Sequence, residues 1–144
     1  MYRVLVPIDE HEDRAQAQLD AVLDLPDVTE SVAVELLHVR KELEFSDADD
    51  VQIGEVKTNR EEFDDLPALV GDARSRLEEG GVETAVHSAT GNPPAAILDL
   101  AEEFDVDELI LGTRRKSPVG KVLFGSVTQA VILDSDRPVK VVSP

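Results

Sequence analysis

The sequence predicts an α/β fold: a single open parallel sheet of five strands with helices on both faces. Three observations lead there. Short, continuous apolar runs recur along the chain, and such runs suit strands covered on both faces. Stretches with apolar residues at helical spacing lie between them. The order that results is β-α-β-α-β-α-β-α-β, which implies helical crossovers and a parallel sheet. The chain has 144 residues, the size of one domain with one core. Residues 1–144 therefore read as a single domain, and no internal repeat is visible.

Each element has its own signal. Val4-Leu5-Val6-Pro7-Ile8 is the first strand run. Ala15, Leu19, Val22 and Leu23 then share one helical face, and Pro26 ends that helix. Val32 to Val39 is a second β-branched, apolar run. Residues 41–62 are polar, acidic and weakly periodic, and read as a variable surface connection. Phe63, Leu66, Val70, Ala73 and Leu77 mark a helix whose regular part starts near Pro67 and closes at Gly80-Gly81. Val82 to Ala89 is the third strand. Asn92 caps the next helix, Pro93 takes its first position, and Ile97, Leu100, Ala101 and Phe104 form its apolar face. Glu108 to Leu111 is the fourth strand, ending at Gly112. A loop, a helix from about Ser126 to Asp134 and a fifth strand from Val139 to Val142 complete the order.

The net charge is −17. So acidic a chain is poorly suited to polyanionic partners, which argues against nucleic acid and anionic membrane surfaces. Cysteine is absent, so disulfides, thiolate nucleophiles and cysteine-ligated zinc are excluded. No apolar run approaches the ~20 residues of a membrane span, and the first residues do not form a signal peptide. A cytoplasmic location is expected. The acidic excess, few lysines and 3% aromatics resemble a halophilic, haloarchaeal-like surface. At ~1 M salt the Debye length is only ~3 Å, so the self-repulsion of such a surface is screened.

One window breaks this rule. Residues 109–133 hold no Asp or Glu but include Arg114, Arg115, Lys116 and Lys121, a local charge of +4 that leaves −21 on the rest. The window begins at the end of a strand, where open α/β sheets bind ligands. It also carries Gly112, Gly120, Gly125, Thr113, Ser117 and Ser126. Glycines admit close backbone approach, hydroxyls donate hydrogen bonds, and a helix N-terminus offers unpaired N–H groups to a phosphate. A basic loop that pairs with an acidic surface has the same composition. No P-loop or G-x-G-x-x-G motif is present.

The motif Gly112-Thr113-Arg114-Arg115, then nine residues, then Gly125-Ser126 resembles the universal stress protein pattern of Gly-x-x-Gly, nine residues, Gly-Ser/Thr. The opening VLVPIDEHED, the LLHV that ends strand two and the terminal RPVKVV are similar to that family too. The likeness covers nearly the whole chain outside 41–62. It implies a sheet of order 3-2-1-4-5, Rossmann-like and of the adenine nucleotide alpha hydrolase type. It further implies ATP or a related adenine nucleotide, with or without Mg²⁺, in the cleft. By position, Pro7, Asp9 and Val39 would surround adenine and ribose. Leu111, Gly112 and Thr113 would pass beside the sugar and phosphates. Gly125, Ser126 and Val127 would meet the phosphates at a helix start. Arg115 stands where the family has its second glycine. There it either obstructs the backbone approach or forks onto phosphate oxygens.

The resemblance also implies a homodimer built on the C-terminal strand, residues 138–142, and a regulatory role toward a partner that the sequence does not name. The alternative is the same fold acting as a protein-interaction stress module without nucleotide, because of Arg115. An adenylating enzyme would need a further domain or catalytic motif. No catalytic residue is evident, and with Asp9 as the sole general-base candidate any ATP hydrolysis would be weak. His11, His38 and His87 lack metal-ligand spacing. Asp9, Glu10, Glu12 and Asp13 cluster after strand one and could hold Mg²⁺ at phosphates, but helix N-terminal charge and a halophilic surface explain all but Asp9.

Overall fold

The computed structural model describes residues 1–40, 67–113 and 124–144. Within them run β1 (Tyr2–Pro7), α1 (Glu12–Leu23), α2 (Val28–Ser31), β2 (Val32–Arg40), α3 (Ala68–Glu79) and β3 (Glu83–Thr90). They are followed by α4 (Pro93–Glu103), β4 (Glu108–Gly112), α5 (Ser126–Asp134) and β5 (Val139–Val142). The strands form one parallel sheet in the order β3-β2-β1-β4-β5. That is the order the resemblance implied.

The apolar runs became strands because both sheet faces are covered. Side chains alternate across a strand, so even and odd positions of β1 serve different layers. Val4 and Val6 pack with Val34 and Leu36 beneath α1 and α3, whose Ala15, Leu19, Val22, Val70, Ala73 and Leu77 close that side. Leu5, Leu37 and Ala89 pack on the opposite face with Ile97, Leu100 and Ala101 of α4 and Val131 of α5. Every residue of β4 is buried. At roughly 1.5–3 kcal/mol for each large apolar side chain fully buried, these two layers supply the main drive for folding.

Local signals set several boundaries. The Asn92 side chain accepts from Ala95 N–H at 3.2 Å, and Pro93 takes the first position of α4. Pro67 precedes α3, and Gly81 follows it with φ of 81°, a conformation that glycine adopts without strain. Several strand boundaries differ from expectation by one or two residues, as with β3, which runs from Glu83 to Thr90. β1 starts at Tyr2, before the apolar run, because Tyr2 and Arg3 pair with Val32 and Ala33 of β2. The single turn α2 was not foreseen, since four residues carry no readable period. The connection 41–62, with Phe63 and Leu66, lies outside the described residues.

A polar cluster sits on the α4 face. His87 Nε2 donates to Glu35 Oε2 at 2.5 Å, Arg3 lies 3.7 Å from Glu35, and the Phe104 ring stacks at 4.4 Å from His87. The cluster is held by sheet register, which sets Leu5 beside Glu35 and Leu37 beside His87. Among the described residues no helix is long and apolar enough to cross a membrane.

Candidate functional site

β1 leads by way of α1 to β2 on one side, while β4 joins on the other. The strand order therefore reverses between β1 and β4, the position where open sheets form a crevice. Direct pairing of these strands covers only Val4 with Glu108 and Leu5 with Leu109. Beyond that point they part, and Gln18 of α1 fills the gap. Its Nε2 donates to Pro7 O at 2.7 Å and to Ile110 O at 3.0 Å, and the residue is 1% exposed. Sequence reasoning missed Gln18 because a glutamine on an amphipathic helix looks like a solvent position. Its place at i+3 from Ala15, next to Leu19, was the available signal.

The crevice opens into a cleft of about 1130 Å³. Pro7, Asp9, Val39, Leu111, Gly112, Thr113, Gly125, Ser126 and Val127 all line it. These are the expected site residues other than Arg115, which lies outside the described residues. Ile97, His38 and Arg14 join the lining. The cleft thus has an apolar side from Pro7, Val39, Ile97 and Leu111, and polar groups at its rim. That combination suits a flat apolar ring with a polar attachment.

Asp9 is fixed on both oxygens. Oδ1 accepts from His11 N–H at 2.8 Å, and Oδ2 accepts from Arg14 Nη1 at 2.6 Å. The first bond turns the chain from β1 into α1. His38 donates from Nδ1 to Ile8 O at 3.1 Å, which ties the tips of β1 and β2 together. His11 and His38 both reach the cleft, as their strand-end positions suggested, while His87 belongs to the polar cluster of β2 and β3. Among the described residues no group of three or more His, Asp or Glu side chains converges to hold a metal ion.

The opposite rim is the start of α5. The first N–H groups of a helix have no intrahelical partner and carry its positive dipole end. In α5 the N-cap residue is Gly125, which has no side chain to cap them, and no acidic residue sits in the first turn. Thr128 Oγ1 donates to Gly112 O at 3.0 Å and anchors this helix start to the end of β4. Gly125 has φ of −68° and, among the described residues, no atom within 4 Å of where a Cβ would stand, so the backbone conformation does not demand glycine there. Gly112 is the reverse case: a Cβ would lie 2.1 Å from Arg14 Cγ. Thr113 is buried and turned to β5, with its N–H donating to Val142 O at 2.8 Å and Oγ1 at 3.4 Å.

Comparison with known proteins agrees with this architecture. The model of the universal stress protein family matches residues 1–143. A universal stress protein of Mycolicibacterium smegmatis is 33% identical over 76 residues, which are 52% of this chain and 58% of that protein. The chain spans about half the length of the curated relatives it matches. A solved universal stress protein from Archaeoglobus fulgidus superposes with a TM-score of 0.72 at 27% identity, covering 99% of this chain and 98% of the other. A universal stress protein from the same organism in complex with dAMP has the same fold, with a TM-score of 0.67 at 23% identity over 99% and 98% of the two chains. Sheet order, cleft position and a family match over nearly every residue converge: the chain belongs to the universal stress protein family.

Proposed function

We propose that the cleft binds an adenine nucleotide, ATP or a related species, and that the protein acts as a dimeric regulator in a stress response. The observation that carries this reading is the glycine-capped start of α5, with no acidic residue in its first turn, lining one cleft with Asp9. A phosphate needs the former and a ribose hydroxyl suits the latter. Pro7, Val39 and Leu111 would receive the base, and Gly125, Ser126 and Val127 the phosphates. Arg115 would fork onto phosphate oxygens in place of lost backbone contacts. A relative of the same fold is solved in complex with dAMP, which supports this class of ligand. Mg²⁺, where present, would be held by carboxylates of the acidic turn after β1, Asp9 first among them, and would offset phosphate charge. With no candidate general base beyond Asp9, turnover of ATP would be weak.

The dimer would form on β5, which pairs with β4 alone among the described residues and leaves its other edge open.

The test is to purify the protein in molar KCl, extract it for bound nucleotide, and titrate ATP, ADP and AMP calorimetrically with and without Mg²⁺. Extracted adenine nucleotide or micromolar binding is expected. No extractable nucleotide and no heat of binding up to millimolar ATP would favour the interaction-module reading instead.

A further inference from the structure

Arg14 has no place in the expected site, yet it lines the same cleft. It follows Glu12 and Asp13 in the first turns of α1, and its side chain is only 20% exposed. The stem lies flat on the end of β4. A Cβ on Gly112 would meet Arg14 Cγ at 2.1 Å and Cδ at 2.7 Å, so the missing side chain at 112 is what makes room for it. The guanidinium then holds Asp9 Oδ2 at 2.6 Å, while His11 N–H holds Oδ1. Arg14, Asp9, Gly112 and Ser126 line the same cleft.

This arrangement treats neutral and anionic ligands differently. A sugar hydroxyl that donates to Asp9 shares a carboxylate already engaged in a charge-assisted bond, and it offers the guanidinium only a neutral partner. A phosphoryl group offers an equivalent anionic partner, and arginine matches its oxygens in a planar fork. We propose that Arg14 is the residue that makes the cleft selective for phosphorylated nucleosides. Without an anion it keeps Asp9 occupied. When a phosphoryl group enters, the guanidinium turns to it, and Asp9 is released to the sugar hydroxyls. Phosphate and sugar recognition are thereby coupled through one side chain. The inference rests on the nucleotide reading above and adds to it a determinant that the glycine motif does not contain.

The test is calorimetric titration of adenosine, AMP and ATP into the unmodified protein, Arg14→Ala and Arg14→Gln at one fixed KCl concentration. The unmodified protein should bind AMP and ATP at least roughly tenfold more tightly than adenosine, the scale of one charge-assisted hydrogen bond. Arg14→Ala should weaken ATP roughly tenfold while adenosine stays equal or tightens, so the ATP-to-adenosine ratio collapses. Arg14→Gln keeps most of the stem without the charge and should give the same collapse, which preserves the test if the alanine variant does not fold. Nucleotide binding with an unchanged ratio in both variants would overturn this proposal alone. Equal tightening of ATP and adenosine would also overturn it, because Arg14 would then be an obstruction. If the unmodified protein binds neither ligand, the nucleotide reading itself fails and this proposal falls with it.

Discussion

Gln18→Leu tests what keeps the crevice open in the right place. The Gln18 amide donates to Pro7 O and Ile110 O at 2.7 and 3.0 Å, where β1 and β4 have ceased to pair with each other. Leucine is close in volume and cannot donate. Each buried acceptor left without its donor costs ~1–3 kcal/mol. Leucine recovers part of that by burying apolar surface, so the net loss should be about 2 kcal/mol. At ~2.1 cal/mol/K per residue of unfolding entropy, this lowers Tm by roughly 6 °C. Urea unfolding followed by circular dichroism measures it directly, with Gln129→Leu on the exposed side of α5 as a control expected to change stability by less than ~0.5 kcal/mol. An unchanged or raised midpoint for Gln18→Leu would refute the reasoning, since the amide would then be dispensable at the switch point.

Three further outcomes follow from the same structure. Partial burial first, then the charges of Glu108 and Asp107, raise the Tyr2 phenol above its ordinary pKa of 10.0. The unfolded chain therefore loses its phenolic proton before the folded one does, and the stability that Tyr2 contributes below pH 10 is lost as pH rises through its folded pKa. Tyr2→Phe should flatten that alkaline decline, read from urea midpoints at about pH 9 and pH 11. Asn92→Ala removes the bond to Ala95 N–H and should cost about 1 kcal/mol in the same assay, while Asn92→Asp should cost little. With a net charge of −17, the melting temperature should rise between low and molar KCl, and an unchanged value would count against the halophilic reading.

What was legible in the sequence was whatever a single segment encodes. The runs at Val4, Val32 and Leu109 betrayed strands because burial on both faces removes any alternation that would hide them. Asn92-Pro93 announced a helix start because cap chemistry is local. The expected site residues are strand ends and a helix start, which the alternating order already places at the carboxyl ends of the strands, and those described line one cleft. Less legible were polar side chains whose partners lie far along the chain. Gln18 bonds Ile110, Thr128 bonds Gly112, and Glu35 meets His87 across strands. Gln18 carried only the weak signal of its place beside the apolar face of α1, and nothing near Arg14 sets it apart from a solvent-facing helix residue until the fold brings Asp9 and Gly112 beside it. Gly112 itself carried a signal with two readings. The motif suggested room for a ligand, and the structure shows the stem of Arg14 in that room.

The central claim is that an adenine nucleotide lies between the end of β1 and the start of α5. Its most direct test is a ¹H–¹⁵N NMR titration of the labelled protein with ATP in molar KCl. The account predicts saturable shifts centred on the amides of Asp9, Val39, Gly112, Ser126 and Val127, with the β5 edge and the His87 cluster little changed. Saturable shifts elsewhere, or none at millimolar ATP, would contradict it.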